Sequence, residues 1–97
     1  MHRLVFRVHA IQMMFQRKIT IEEVEQVLAT GEVIEYYPED TPFPSRLMLG
    51  WSGLRPIHLV AANNSAAKET IVITVYEPEL SQWASGFRRR KNEVRYL

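Results

Sequence analysis

The alternation of apolar and polar residues predicts two short helices near the start of the chain. Between Val8 and Arg17 apolar residues recur at helical spacing, and the alanine, glutamine and methionine residues there favour a helix. Thr20 and Glu23 have the spacing of a capping box, in which each side chain accepts from the backbone N–H of the other residue. The second apolar stripe ends at Gly31, a residue type common after the last helical turn. We expect two helices joined by a tight turn within residues 8–30.

Most of the remaining chain is strand-like. Four segments rich in β-branched and aromatic residues are separated by proline, glycine or asparagine, and they are residues 33–37, 45–51, 56–62 and 70–76. The last has one purely apolar face and one partly polar face, and Pro78 closes it, which indicates an interior strand with polar groups on the side away from the core. Residues 2–7 alternate weakly and fit either a short strand or the first turn of a helix.

These segments predict an α+β domain. The two N-terminal helices are expected to pack on one face of a four-stranded, mainly antiparallel sheet over about residues 32–78, followed by a short basic tail over residues 79–97. Strand alternation predicts that the helix-covered face holds Leu47, Leu49, Ile57, Leu59, Ile71, Ile73 and Val75. By the same rule the opposite, open face holds Arg46, Met48, His58, Val60, Val72, Thr74 and Tyr76.

Length and composition limit what the chain can be. It has 97 residues, 46% of them hydrophobic and 24% charged, so we expect one domain over residues 1–97 with one core. It has no cysteine, which excludes disulfides and thiolate metal sites. No stretch reaches the roughly 20 apolar residues that cross a bilayer. We expect a cytoplasmic protein that begins at Met1 and has no membrane partner.

The net charge of +1 conceals an uneven distribution. Acidic residues concentrate between positions 22 and 40, whereas Arg88, Arg89, Arg90 and Lys91 form a basic run near the end. Such a run attracts phosphate without reading sequence, which makes these four residues candidates for binding RNA. A solvated tail, or contact with an acidic protein partner, fits the same run equally well.

The polar residues of the predicted open face suit RNA cleavage without a metal. Histidine titrates near neutrality, so His58 can move protons, and the guanidinium of Arg46 can pair with phosphate oxygens. Tyr76 can stack on a base or give a proton, and Thr74 lies beside it. Each has a structural alternative: a hydrogen-bonded core histidine, a packed tyrosine, or an arginine paired with a glutamate.

The helix histidine His9 is a separate candidate. With Gln12, Gln16 and Arg17 it fits either a continuation of the same site or a cap on the helix–sheet junction. The three histidines lack the i, i+4 spacing of helical metal ligands, and the chain has no phosphate-binding loop or nucleophile-elbow motif. We therefore expect no metal and no cofactor.

The chain as a whole resembles a bacterial domain-of-unknown-function family grouped near the RelE, BrnT and MqsR type toxins. The resemblance covers almost the whole chain and lies in residues 9–17, 19–28, 31–34, 44–46 and 73–78. It implies a RelE/MqsR-like fold and a metal-independent mRNA endoribonuclease, ribosome-linked or free. It also implies a cognate antitoxin encoded alongside, often with a small zinc-finger segment. One departure is Lys18, where such sequences commonly have glycine.

The resemblance implies roles for individual residues. Arg46 matches the strand arginine of the family, Tyr76 resembles a late-strand tyrosine of RelE-like enzymes, and His9 and Arg17 match the helix signature.

Our leading hypothesis is a type II toxin that cleaves mRNA. Its proposed catalytic residues are Arg46, His58, Tyr76 and His9, and its RNA-binding residues are Arg17, Lys18, Thr74 and the basic run 88–91. The alternative is a non-catalytic protein- or nucleic-acid-binding module on the same fold. A small-molecule enzyme is a third interpretation, supported only by the polar face.

Overall fold

The computed structural model describes residues 2–91 as two helices and five strands. In chain order the elements are β1 (Arg3–Phe6), α1 (Val8–Arg17), α2 (Ile21–Thr30), β2 (Glu32–Tyr37), β3 (Ser45–Ser52), β4 (Arg55–Asn64) and β5 (Glu69–Tyr76). Both predicted helices and the four predicted strands are confirmed. Within residues 2–91 no helix is long and apolar enough to cross a membrane.

The strands form one mixed sheet in the order β1-β5-β4-β3-β2. Strands β2 to β5 pair antiparallel, while β1 pairs in parallel with β5. The α+β class is confirmed, but the prediction of four strands is wrong, because residues 3–6 add a parallel edge strand. Consequently β5 has a neighbour on each side and is an interior strand, as expected.

The two helices begin and end as their sequence dictates. Thr20 Oγ1 accepts from the Glu23 backbone N–H at 3.1 Å, and Glu23 Oε1 accepts from the Thr20 backbone N–H at 2.9 Å, so the capping box is confirmed. At the end of α1, Lys18 has left-handed backbone angles (φ 56°, ψ 48°) and the Ile19 N–H donates to the Met14 carbonyl at 2.9 Å. This tight turn, usually closed by glycine, brings α2 back over the sheet.

The helices cover a different set of strand residues from the predicted one. The core beneath them includes the strand residues Met48, Ile57, Leu59, Ala61, Val72 and Val75. Leu47, Leu49 and Ile71 lie on the opposite face, so their predicted placement is wrong. For β3 the cause is the close approach of α2, since a Cβ on Gly50 would lie 2.6 Å from Val27 Cγ2. Gly50 must face the helix, and this fixes the phase of β3.

A bulge in β5 changes which residues of the strand point to each face of the sheet. Consecutive residues of β4 pair with Thr74 and Val72, which leaves Ile73 as an extra residue. Val72 and Val75 therefore both reach the core, while Thr74 and Tyr76 point to the other side. The predictions that Val72 joins Thr74 on the open face, and that Ile73 continues the helix-facing alternation, are wrong for this reason.

The face away from the helices is covered by the chain itself. Residues 79–91, which we call the C-terminal strap, cross it, and Trp83 is only 3% exposed. The Trp83 ring lies 4.4 Å from the His58 ring, and the Phe87 ring lies 6.0 Å from that of Trp51, both edge-on. The predicted basic tail is therefore packed on the sheet up to residue 91, and the remainder of that prediction, residues 92–97, lies outside the described residues.

Lys18→Gly is expected to raise the free energy of unfolding by about 1 kcal/mol, because glycine adopts left-handed angles without a Cβ clash. Urea unfolding of the two proteins measures the difference. Lys18→Ala is the matched control, since it removes the same side chain and keeps the Cβ. An equal gain in both variants would show that the side chain, and not the backbone, is responsible.

Candidate functional site

A polar pocket of about 370 Å³ lies where β5 ends, between α1 and the start of the C-terminal strap. Its lining residues are His9, Met13, Arg17, Thr74, Tyr76, Glu77, Pro78, Glu79 and Gln82. The helix supplies one wall, because residues four apart lie above one another on the same side of a helix. Four of the residues singled out from the sequence, His9, Arg17, Thr74 and Tyr76, therefore meet in one place.

The imidazole of His9 is fixed to the strand across the pocket. Its Nε2 lies 3.0 Å from Thr74 Oγ1, and the residue is exposed. Thr74 reaches this position because of the bulge, which turns it out of the core. Of the two interpretations of His9, the structure shows a residue that lines the pocket with Arg17; Gln12 and Gln16 are not part of its lining.

Behind the pocket, Tyr76 is held by a buried histidine. His58 is 0% exposed, its Nε2 lies 2.9 Å from the Phe87 carbonyl oxygen, and its Nδ1 lies 3.1 Å from the Tyr76 hydroxyl. A carbonyl can only accept, so Nε2 carries the proton and donates. Burial lowers the pKa of His58, which keeps the ring neutral, and Nδ1 must then accept from the Tyr76 hydroxyl.

This arrangement changes the role expected for His58. A side chain with no exposed surface has no access to RNA in this structure, and the direct part of His58 in catalysis or base stacking stays a prediction that its contacts do not support. Its position instead fixes the ring and hydroxyl of Tyr76, whose ring lies 5.2 Å away edge-on. Burial also raises the pKa of Tyr76, and the phenol keeps its proton at neutral pH.

Arg55, which the sequence did not single out, joins the walls of the pocket. Its Nε donates to Glu77 Oε1 at 2.9 Å and its Nη1 to the Lys18 carbonyl at 2.9 Å, and Nη2 bonds the Arg17 carbonyl. The guanidinium thus ties the last carbonyls of α1 to the end of β5. The available signal was its place just after the Gly53 turn, at the start of a strand.

Arg46 does not belong to this pocket. It pairs across the sheet with Ala61, a core residue, and therefore points to the helix-covered side, opposite to Tyr76. Its predicted place beside His58 and Tyr76 is wrong, because the contact of Gly50 with α2 sets the phase of β3. Lys18 is also elsewhere, at an apolar groove between α1 and α2.

Two of the four residues of the basic run, Arg88 and Arg90, form ion pairs with glutamates of β2. Arg88 Nη2 lies 2.6 Å from Glu32 Oε1, and Arg90 makes two hydrogen bonds of 3.1 Å to Glu35. Arg90 also lies 4.8 Å above the Trp83 ring, and its hydrogen bonds lower the pKa of Glu35. These two arginines fasten the C-terminal strap to the edge strand. Their role in binding RNA stays a prediction, and in this structure both guanidinium groups are paired with carboxylates.

The remaining cations of the run, Arg89 and Lys91, are exposed. Among residues 2–91, no three histidine, aspartate or glutamate side chains come together in a way that could hold a metal ion. The polar pocket therefore offers an imidazole, a guanidinium, a phenol and two carboxylates as its reactive groups.

The chain matches a known protein family. The model of a protein family described as "Domain of unknown function (DUF4258)" matches residues 6–77. This range includes α1 and β5 and ends before the C-terminal strap. No curated protein and no solved structure matches the chain.

The buried neutral imidazole predicts a loss of stability in mild acid. The pKa of His58 in the folded state is below its ordinary value of 6.5, so below that pH the unfolded chain binds a proton that the native chain does not. The free energy of unfolding should fall as the pH drops from 7.5 to 5.5, by at most about 1.4 kcal/mol per pH unit. Urea unfolding at several pH values measures it.

His58→Gln should be less stable throughout and should lose this part of the pH dependence. His9→Gln is the control, because it retains His58 and therefore the loss in acid. A pH dependence that is unchanged in His58→Gln would contradict the assignment.

Proposed function

The chain belongs to the DUF4258 family, and from the geometry of the polar pocket we propose that it is a metal-independent endoribonuclease that acts as the toxin of a type II toxin–antitoxin pair. The observation that carries the proposal is the exposed imidazole of His9, held by Thr74 in a pocket shared with Arg17 and Tyr76. These are the groups that transesterification of RNA requires. The relation to RelE-like and MqsR-like enzymes is part of the proposal.

Cleavage of RNA by the protein involves two proton transfers and the stabilisation of one developing negative charge. The 2′-hydroxyl must lose a proton, the phosphorane gains negative charge, and the 5′-oxygen must gain a proton as it leaves. In this proposal His9 moves a proton and the Arg17 guanidinium stabilises the charge on phosphate oxygens. Glu77, which lines the same pocket, is the candidate for the second proton transfer, and its ion pair with Arg55 offsets its repulsion of phosphate.

Tyr76 has a positioning role in this scheme. Its O–H donates to His58 Nδ1, so its oxygen accepts from the ligand, for example from a ribose hydroxyl. Its raised pKa makes it a weak acid and argues against a proton donor. The ring remains available for base stacking.

A partner protein is the second part of the proposal. Val8, Ile11 and Phe15 on α1 are 71%, 53% and 87% exposed, and Ile11 and Phe15 border an apolar groove of about 710 Å³ that extends to α2. Exposed apolar surface of this kind commonly marks a protein-binding site. It favours docking of a neutralising antitoxin here, and it equally supports the second candidate function, a non-catalytic binding module.

Purified protein is expected to cleave single-stranded RNA in the presence of a chelator. His9→Ala should lower the cleavage rate by about 100-fold or more, in the range of general acid–base catalysis. Arg17→Gln should also lower it, because the phosphorane loses its cation, and Tyr76→Phe should chiefly weaken RNA binding. Gel analysis of a labelled oligonucleotide under single-turnover conditions separates the rate from the affinity.

Arg3→Gln is the matched arginine control. Arg3 is an exposed arginine at the opposite end of β5, paired with Glu69, and its replacement should leave cleavage unchanged. Absence of cleavage by the wild-type protein, or equal rates for His9→Ala and the wild type, would refute the nuclease and favour the binding module.

Expression of the chain alone is expected to arrest bacterial growth, and co-expression of the protein encoded beside it should restore growth. Phe15→Glu should still arrest growth but escape the rescue, because a charge on the apolar surface prevents docking. Gln16→Glu, an exposed neighbour on α1, adds the same charge and should remain rescued. Harmless expression together with tight partner binding would support the non-catalytic module instead.

A further inference from the structure

A second groove lies on the other side of the sheet from Tyr76. It has a volume of about 580 Å³ and lies between β1 and the second half of α2. Its lining residues are His2, Leu4, Glu25, Leu28, Ala29, Arg46 and Thr70. The groove therefore combines an apolar wall with a floor of polar side chains. Nothing in the proposed nuclease uses it.

Arg46 is the unusual residue of this groove. The guanidinium is half-buried, yet within residues 2–91 no carboxylate lies within ion-pair distance of it. Arg3, Arg55, Arg88 and Arg90 have acidic partners, and the other described arginines without one, Arg7, Arg17 and Arg89, are all exposed. Removing a cation from water without an opposite charge is unfavourable, and desolvation accordingly lowers the pKa of Arg46.

The orientation of Arg46 is set by neighbours that leave most of its donors free. Its Nη1 donates to Asn63 Oδ1 at 2.6 Å. Asn63 is itself held, because its Nδ2 lies 2.9 Å from Thr70 Oγ1 and 2.8 Å from His2 Nδ1, both of which can accept. Among the described residues, Asn63 is the one hydrogen-bond partner of a guanidinium that has five N–H donors.

We propose that this groove binds a small organic anion, with its carboxylate or phosphate group on Arg46 and its apolar body against Leu4, Leu28 and Ala29. A planar fork of unused N–H donors matches two oxygens of either oxyanion. The anion gives Arg46 an opposite charge within ion-pair distance, which no described carboxylate provides, Glu25 of the same groove included. The groove and the polar pocket share no lining residue, so the site uses none of the residues of the proposed nuclease.

Titration of the full-length protein, followed by amide chemical shifts, tests the proposal. Three probes separate the sources of the oxyanion: inorganic phosphate, adenosine 5′-monophosphate and hexanoate. At least one organic probe is expected to shift the amides of Ala29 and Thr70 saturably and to bind more tightly than inorganic phosphate. Tighter binding of hexanoate indicates a carboxylate ligand, and tighter binding of the nucleotide indicates a phosphate ester.

Two variants and one control connect binding to the groove. Arg46→Gln should weaken binding at least tenfold, and Ala29→Phe should weaken it by filling the groove while leaving Arg46 in place. Ala29 is exposed on α2, so this change spares the core even if Arg46→Gln disturbs folding. Arg7→Gln, at an exposed arginine that lines neither the groove nor the polar pocket, should bind the probe as the wild type does. The proposal is overturned if no probe shifts the groove amides or if Arg46→Gln binds equally well.

Discussion

The packing of the sheet face away from the helices depends on the hydrogen bonds of the buried imidazole of His58. It joins three parts of the chain, because it lies on β4, accepts from Tyr76 on β5 and donates to the Phe87 carbonyl in the C-terminal strap. Both ring nitrogens are satisfied only when the strap is in place. Phe87 adopts left-handed angles (φ 62°), and its strain is offset by this hydrogen bond and by ring contact with Trp51.

The C-terminal strap brings together acidic and basic segments that are far apart in the sequence. Glu32 and Glu35 of β2 meet Arg88 and Arg90 across the sheet edge, so half of the basic run is neutralised within the molecule. A basic run is therefore a poor measure of the positive field available to RNA. The same pairing covers an edge strand, which otherwise presents free backbone groups to other chains.

The sequence predicted the local structure better than it predicted which residues lie on each face of the sheet. Capping by Thr20 and Glu23 and the strand segments depend on near neighbours, which a sequence displays directly. Which way a strand faces depends on tertiary packing, and a one-residue error moves every side chain to the other side. Gly50 was the available cue, since a glycine within a strand often marks the close approach of another element. The bulge at Ile73 had no comparable signal.

These two features, the Gly50 contact and the bulge, together decide where chemistry is possible. Without the bulge, β5 would send Thr74 and Tyr76 into the core with Val72, and His9 would have no partner on the strand. With β3 in the opposite phase, Arg46 would join Tyr76, and the groove beneath α2 would lose its cation. Packing between helix and sheet therefore assigns one cation, Arg17, to the polar pocket and another, Arg46, to a separate site. The fold thereby separates two arginines that the sequence analysis assigned to one site.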